Sequence, residues 1–219
     1  MELKGKKIAF LGDSITQGVA VSCKENIYWN LIGQRTGAEV YGYGISGTRI
    51  AKQHLPYRFE RIDDKYFSTR VETMVPDADM VVIFGGVNDF SHGDAPMGDM
   101  NERTEDSFYG ACHVLVQKIK ARYPAAVIVM MTPLHRSKLP DPLFNDAGVR
   151  QVGTLEDYVN AIRQVAAHYG AAVVNLYADC PIDPEIAEQK EKYMPDGVHP
   201  NDAGHVLIAD ALQKVLKEL

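Results

Sequence analysis

Cysteine is scarce in this sequence, which has three among 219 residues, at Cys23, Cys112 and Cys180. Their number is odd and their spacing is wide, so the sequence indicates neither a disulfide framework nor the paired spacing of a zinc site. We therefore expect three free thiols and a fold that depends on its hydrophobic core.

Long hydrophobic runs and an excess of basic residues are also absent. No apolar run approaches the length of a bilayer span, and residues 1–7 lead into a strand without a signal-peptide core. We therefore expect a cytoplasmic protein that does not enter the membrane. The formal net charge of -6 argues against a general affinity for nucleic acid or an anionic membrane. Neutral or cationic small substrates fit this charge better.

The sequence does have apolar runs of strand length that alternate with segments of helical spacing. The five runs are 8–11, 38–41, 80–84, 125–131 and 171–175. Amphipathic helices are predicted from Phe108 and from Leu155, and a last helix follows a predicted cap at Asn201. The apolar stripe of this last helix is Ile208, Leu212, Val215 and Leu219. This alternation predicts an α/β chain, folded as a single doubly wound domain over residues 1–219, with a parallel sheet and helices on both faces.

Two connections are long and lack periodicity. Residues 86–103 are rich in glycine, aspartate and asparagine, and residues 132–153 carry three prolines. Long loops at one edge of such a sheet commonly build the binding pocket. Whether the segment 134–153 forms a lid stays open at this point.

Four short motifs lie at strand ends or directly before the last helix. They read GDSIT at 12–16, GYGISG at 42–47, GGVND at 85–89 and DGVHP at 196–200. At the carboxyl edge of an open α/β sheet, backbone donors face a ligand crevice, so a serine there is a candidate nucleophile. Taken alone, the first motif is equally consistent with Asp13 and Ser14 capping a helix.

Together, the motifs supply every group that acyl transfer needs. Asp196 and His199 are three positions apart in a short turn, which can set the carboxylate against one imidazole nitrogen while the other faces Ser14. The backbone N–H groups of Ser14 and Gly47 and the side-chain amide of Asn88 are candidate donors of an oxyanion hole. We therefore predict a serine nucleophile with a base, an orienting acid and three donors.

These motifs, in this order over nearly the whole chain, resemble the SGNH hydrolases, also called the GDSL family of esterases and lipases. The site residues of that family fall on Ser14, Gly47, Asn88 and His199, with its orienting aspartate at Asp196. The resemblance implies a flavodoxin-like sheet of five parallel strands and a serine mechanism through an acyl-enzyme. It also implies that the chain uses no metal and no organic cofactor.

The second motif departs from the family at Gly42, where an asparagine is common. The same motif is also consistent with a different function. Gly42, Gly44 and Gly47 spell G-x-G-x-x-G after a strand, the fingerprint of a nucleotide-binding oxidoreductase. That fingerprint needs a helix opening at the third glycine, yet Pro56 interrupts it and no second apolar strand precedes residues 63–64. A noncatalytic binding module is a third hypothesis, against which the complete set of site residues argues.

Several other side chains are candidates for a supporting role. Asp13 and Asp89 are predicted to brace their loops, Asp89 by bonding its own turn. Asp13, Phe90 and His135 are also possible substrate contacts, as is His92, which follows a strand like His135. Aromatic residues that could shape the pocket are Phe90, Tyr28 and Trp29. The histidines for which we expect a structural role are His54, His113, His168 and His205.

The expected substrate is a short-chain acyl ester, first of all an O-acetyl group on a carbohydrate or a similar polar alcohol, because the domain is compact and has no large apolar insertion. The alternative within the same chemistry is a lysophospholipase or a thioesterase. The sequence pattern leaves the oligomeric state open.

Overall fold

The computed structural model describes residues 2–54, 65–139 and 153–219. Most of the segment considered as a lid, residues 140–152, lies outside the described residues. The same holds for Pro56 and for residues 63–64, on which part of the argument against a dinucleotide site depends.

Five strands form one parallel sheet in the order β2-β1-β3-β4-β5. They are β1 (Lys7–Gly12), β2 (Glu39–Gly44), β3 (Met80–Phe84), β4 (Val127–Met131) and β5 (Ala172–Val174). This is the flavodoxin-like order of a doubly wound sheet, and it confirms the predicted α/β fold. Because the strand order reverses between β1 and β3, the crevice at their carboxyl ends is the expected ligand site.

Eight α-helices connect or flank the strands in the described part of the chain. They are α1 (Ser14–Gln17), α2 (Tyr28–Thr36), α3 (Val87–His92), α4 (Phe108–Arg122), α5 (Leu155–Tyr169), α6 (Leu176–Asp179), α7 (Ala187–Tyr193) and α8 (Asp202–Glu218). Two 3₁₀ segments, Lys24–Asn26 and Phe67–Thr73, lie in the connections. Helices α4, α5 and α8 begin where the apolar spacing predicts them.

The core has two halves, one on each face of the sheet, because side chains alternate along a strand. Phe10 and Val82 belong to the half that α2 and α8 cover. Leu11 and Ile83 belong to the half that α4 and α5 cover. Continuous apolar runs in β1 and β3 therefore reflect burial on both faces, as predicted for a parallel sheet.

The last helix begins as predicted, and its apolar stripe follows the prediction except at its end. Asn201 is its cap, and the side chain of this residue accepts a hydrogen bond from the Gly204 amide at 3.1 Å. The buried stripe continues from Leu212 to Leu216, whereas Leu219 is 42% exposed. Leu219, the last residue of the predicted stripe, is not part of the buried stripe because the helix ends at Glu218.

Strand β2 differs from the predicted buried strand. It starts one residue later and extends through Gly44, and none of its six residues is buried. It is an edge strand that pairs with β1 alone, so one side of it meets solvent. The prediction of strands apolar on both faces therefore fails for β2.

The three cysteines are free thiols, as expected. Cys112 and Cys180 are buried, and Cys23 is exposed.

Candidate active site

The turn between β1 and α1 presents Ser14 at the carboxyl edge of the sheet. Asp13 caps α1 by accepting a hydrogen bond from the Ile15 amide at 3.0 Å, and Ser14 is the first residue of the helix. Gly12 is required in this turn because a Cβ atom there would lie 2.9 Å from the Phe84 carbonyl oxygen and overlap the Thr16 side chain. The helix-capping interpretation is thus correct for Asp13, and the cap itself orients Ser14.

Ser14, His199 and Asp196 form a connected chain of hydrogen bonds. The Nε2 atom of His199 lies 2.9 Å from the Ser14 Oγ, and its Nδ1 lies 2.7 Å from the Asp196 Oδ2. A carboxylate can only accept, so the proton of a neutral His199 imidazole lies on Nδ1 and Nε2 accepts from the serine hydroxyl. This arrangement gives the hydroxyl a base within hydrogen-bond reach.

The carboxylate of Asp196 is fixed by its own turn. Its Oδ1 accepts hydrogen bonds from the backbone amides of Val198 at 2.8 Å and His199 at 2.7 Å. Burial opposes ionisation of this carboxyl, but the amide and imidazole of His199 and the Val198 amide together lower its pKa below the ordinary value. Asp196 is therefore charged at neutral pH and holds the imidazole in one orientation.

Gly47 and Asn88 lie at the carboxyl ends of β2 and β3, on either side of Ser14. In the described part of the chain, neither the Ser14 nor the Gly47 backbone N–H donates a hydrogen bond to a backbone carbonyl. Gly47 has a φ of +78°, which favours glycine, and a Cβ there would meet no atom within 4 Å. The Asn88 Nδ2 donates to the Thr48 carbonyl oxygen at 2.9 Å, and the same nitrogen carries a second N–H. Three donors are thus available.

Two buried carboxylates brace the site. Asp89 accepts hydrogen bonds from the amides of Ile50 at 3.0 Å and Ala51 at 2.8 Å, just beyond Gly47. The expected bracing role is correct, and it reaches the neighbouring loop as well as the backbone of Asp89 itself. Burial raises the pKa of Asp89 to about 6 despite the two amides, and it raises the pKa of Asp13 to about 7.

Arg70 is a supporting residue that sequence reasoning did not identify. It is 5% exposed, and its guanidinium donates to the carbonyl oxygens of Tyr43 at 2.7 Å and Gly12 at 3.1 Å and to the Thr48 hydroxyl at 3.1 Å. Burial lowers its pKa to about 10. One side chain thus joins the ends of β1 and β2 to the loop of Gly47. The sequence carries no local signal for this role, because the three partners of Arg70 are distant along the chain.

The possible substrate contacts lie in different surroundings. Asp13 is 1% exposed and faces the Ile15 amide, which favours bracing over substrate contact. Phe90 is half-buried and packs against Tyr158 with the ring centroids 6.0 Å apart. His135 is half-buried and stacks on Tyr177 at 4.0 Å. Substrate contact by Phe90 and His135 therefore stays a prediction.

The aromatic pair Tyr28 and Trp29 belongs to the core, and Trp29 also lines an open groove beside α1 together with Gly42 and Gly44. Tyr28 is fully buried and Trp29 is 6% exposed. The Tyr28 hydroxyl lies 2.9 Å from the Thr16 hydroxyl, and the Trp29 indole donates to the Thr16 carbonyl at 2.9 Å. Both side chains therefore hold α1 in place through hydrogen bonds to Thr16.

The structural role expected for several histidines is correct. His205 is buried and accepts a hydrogen bond from the Tyr28 amide at 3.1 Å, and burial lowers its pKa to about 4. His113 is also buried and lies 3.1 Å from the Tyr169 hydroxyl. His92 differs from these residues because it contacts Asn88, one of the candidate donors.

The dinucleotide interpretation fails on the described residues that follow β2. Residues 45–54 form no helix, although the fingerprint requires one to open at Gly47. The other two glycines serve packing, since a Cβ at Gly42 would overlap the Trp29 ring and a Cβ at Gly44 would overlap the backbone of α1.

None of the helices in the described part of the chain is long and apolar enough to cross a membrane.

The chain resembles known proteins over nearly its full length. It is 24% identical to a GDSL lipase of Mycobacterium tuberculosis, over 95% of this chain and 80% of that protein. A crystal structure of a Lactobacillus plantarum protein is 28% identical, with a TM-score of 0.81 and coverage of 98% of each chain. The crystal structure of a two-domain esterase active on acetylated mannans is 23% identical, with a TM-score of 0.62, over 99% of this chain and 50% of that chain.

The model of the GDSL-like Lipase/Acylhydrolase family matches residues 10–207, a range that contains all four motifs. The chain therefore belongs to the GDSL-like lipase/acylhydrolase, or SGNH hydrolase, family of carboxylic ester hydrolases.

Proposed function

We propose that this protein is a serine esterase in which Ser14 is the nucleophile, His199 the general base and Asp196 the residue that orients the base. The observation that carries this proposal is the relay in which His199 Nε2 lies 2.9 Å from Ser14 Oγ while its Nδ1 lies 2.7 Å from Asp196. Ser14 is 3% exposed and the site has a base already within hydrogen-bond distance, so the hydroxyl is prepared for attack before substrate arrives.

In the proposed mechanism, His199 takes the Ser14 proton as Oγ attacks the ester carbonyl. The backbone N–H groups of Ser14 and Gly47 and the amide of Asn88 stabilise the oxyanion. The alcohol leaves with the proton from His199, and the acyl group stays on Ser14. Water then attacks the acyl-enzyme with His199 again as base, which releases the carboxylic acid and restores the serine.

The proposed substrates are short acyl esters, in particular O-acetyl groups on a carbohydrate or a similar polar alcohol. Two observations support this choice. The net charge of -6 does not favour anionic lipid surfaces, and the same fold occurs in an esterase that acts on acetylated mannans. The second candidate is a lysophospholipase or thioesterase, which the naming of the Mycobacterium tuberculosis relative as a lipase favours.

The test is the initial rate of hydrolysis of nitrophenyl esters from acetate to long acyl chains. Ser14→Ala is expected to lower kcat by at least about 10³-fold, because the attacking oxygen is lost. The matched control is Ser22→Ala, which removes an exposed hydroxyl that donates to Asp202. Circular dichroism confirms that each variant is folded.

The dependence on chain length distinguishes the substrate classes. A Ser14-dependent rate that falls with chain length supports the short-chain esterase and leads next to acetylated sugars. A rate that peaks at long chains supports the lipid or thioester alternative. Full hydrolysis by Ser14→Ala would refute the assignment of the nucleophile.

A further inference from the structure

The Asn88 amide differs from the other two candidate oxyanion donors because it can rotate. The N–H groups of Ser14 and Gly47 are fixed by the backbone, whereas a half-turn of the Asn88 amide would exchange its donor for its acceptor. A reversed amide would direct an oxygen lone pair at the oxyanion and repel it. The site therefore needs contacts that hold this amide in one orientation.

The first contact lies on the nitrogen side of the amide. Asn88 Nδ2 is 2.9 Å from the carbonyl oxygen of Thr48, the residue after Gly47. A carbonyl oxygen can only accept, so the amide atom that faces it is the nitrogen. This contact leaves one N–H of Asn88 for the substrate.

The second contact lies on the oxygen side. Asn88 and His92 are four positions apart on α3, a spacing that places their side chains on one face of the helix. The Nε2 of His92 is 3.1 Å from the Asn88 Oδ1. Because the amide oxygen can only accept, His92 supports this orientation only when Nε2 carries a proton.

Arg49 determines where the His92 proton lies. Its Nη1 is 3.2 Å from the His92 Nδ1, and a guanidinium can only donate, so Nδ1 must accept. Burial, together with the nearby charges of Arg49 and Arg136, lowers the pKa of His92 to about 3, so the imidazole is neutral and holds one proton. That proton is therefore on Nε2. The same guanidinium atom lies 3.4 Å from the Gly47 carbonyl oxygen.

We infer that Arg49 and His92 are positioning residues for the oxyanion hole: Arg49 fixes His92 as the Nε2–H tautomer, and this N–H fixes the amide of Asn88. The inference rests on the proposed function, because it requires Asn88 to donate to the oxyanion. Donation to Oδ1 also polarises the amide and strengthens its remaining N–H as a donor. His92 acts through Asn88 and does not contact the reacting atoms.

Two amide substitutions at His92 test whether the position of the donor matters, because both side chains carry an amide and differ only in length. In His92→Gln, the side-chain amide extends to about the position of the imidazole Nε2 and can donate to Asn88. In His92→Asn, the same group is one carbon shorter and does not reach. With nitrophenyl acetate as substrate, we expect His92→Gln to stay within about 3-fold of the native kcat and His92→Asn to lose about 10-fold or more, with KM unchanged in both.

The double variant tests whether His92 acts through Asn88. Asn88→Ala alone is expected to lower kcat by about 10²- to 10³-fold. If His92 serves only to orient that amide, adding His92→Asn to Asn88→Ala has no further effect on kcat. Losses that multiply would indicate a general structural role for His92 and would overturn the inference.

A measurement on the unaltered protein is independent of activity. Long-range ¹H–¹⁵N NMR of the imidazoles at pH 7, with His92 assigned from the spectrum of His92→Gln, should locate the single proton on Nε2. A proton on Nδ1 would overturn the inference whatever the kinetics. If Asn88→Ala lowers kcat but folded His92→Asn keeps the native kcat, the inference is also wrong, whereas the proposed function stands. Full activity in Asn88→Ala would overturn both the inference and the proposed role of Asn88.

Discussion

Replacing Arg70 with methionine tests whether one buried cation holds the carboxyl edge of the sheet together. The Arg70 guanidinium donates to the carbonyl oxygens of Gly12 and Tyr43 and to the hydroxyl of Thr48. Gly12 precedes the turn that carries Ser14, and Thr48 follows Gly47. Methionine keeps most of the volume of the side chain and removes all three hydrogen bonds.

The expected cost follows from two opposing terms. Each hydrogen bond from a charged donor contributes about 2 kcal/mol, so the three together stabilise the fold by about 6 kcal/mol. Burial lowers the pKa of Arg70 from its ordinary value to about 10, which corresponds to a desolvation cost of about 3 kcal/mol. Arg70→Met removes both terms, so the free energy of unfolding should fall by about 3 kcal/mol.

Urea denaturation, with kcat on nitrophenyl acetate measured in parallel, checks this expectation. The matched control is Arg35→Met, because Arg35 is exposed and its main partner, Asp210, is exposed too. A surface ion pair of this kind contributes at most about 1 kcal/mol. We expect Arg70→Met to lower kcat as well, since the Gly47 loop loses an anchor. If Arg70→Met is as stable and as active as Arg35→Met, the reasoning is wrong.

Two further substitutions test the buried groups around the site. Asp89→Asn turns one of the two accepting carboxylate oxygens into a donor that faces a backbone N–H. The free energy of unfolding should therefore fall by about 2 kcal/mol, and kcat should fall with it. Native values of both quantities would contradict the bracing role. His205→Gln tests acid stability, because the pKa of His205 is about 4 in the fold against an ordinary 6.5. The unfolded chain then binds this proton first as pH falls, and the native protein loses up to about 3 kcal/mol between pH 6.5 and pH 4. Urea denaturation at several pH values should show a weaker pH dependence for His205→Gln than for the native protein or for His54→Gln, and equal dependence would refute the assignment.

The central sheet and the hydrogen-bonded relay of Asp196, His199 and Ser14 were predictable because their signals are local. Strands buried on both faces produce uninterrupted apolar runs, as in β1 and β3, and helix periodicity separates them. Asp196 and His199 lie in one turn, so their spacing alone indicates an acid and a base in contact. The parallel topology then places every motif that follows a strand at one edge of the sheet, which brings Ser14, Gly47 and Asn88 together.

The supporting residues were not predictable because their contacts are distant in sequence. Arg70 and Gly12 are 58 positions apart, and Asp89 and Ala51 are 38 positions apart. Neither pair leaves a periodic pattern, and Asp89 next to Asn88 resembles an ordinary turn residue. The orientation of a single amide by His92 depends on which atoms face each other, and residue spacing carries no such information.

Gly42, where the second motif departs from the family, makes room for a residue outside that motif. A Cβ at position 42 would lie 2.9 Å from the Trp29 Nε1 and overlap the ring, so glycine is needed where the indole packs. That indole donates at 2.9 Å to the carbonyl oxygen of Thr16, in the helix that begins with Ser14. A Cβ at Gly44 would in turn lie 2.6 Å from the Gln17 Cα atom. The two glycines therefore let β2 and Trp29 approach α1. The G-x-G spacing that resembles a nucleotide-binding fingerprint here permits close packing against the helix that begins with Ser14.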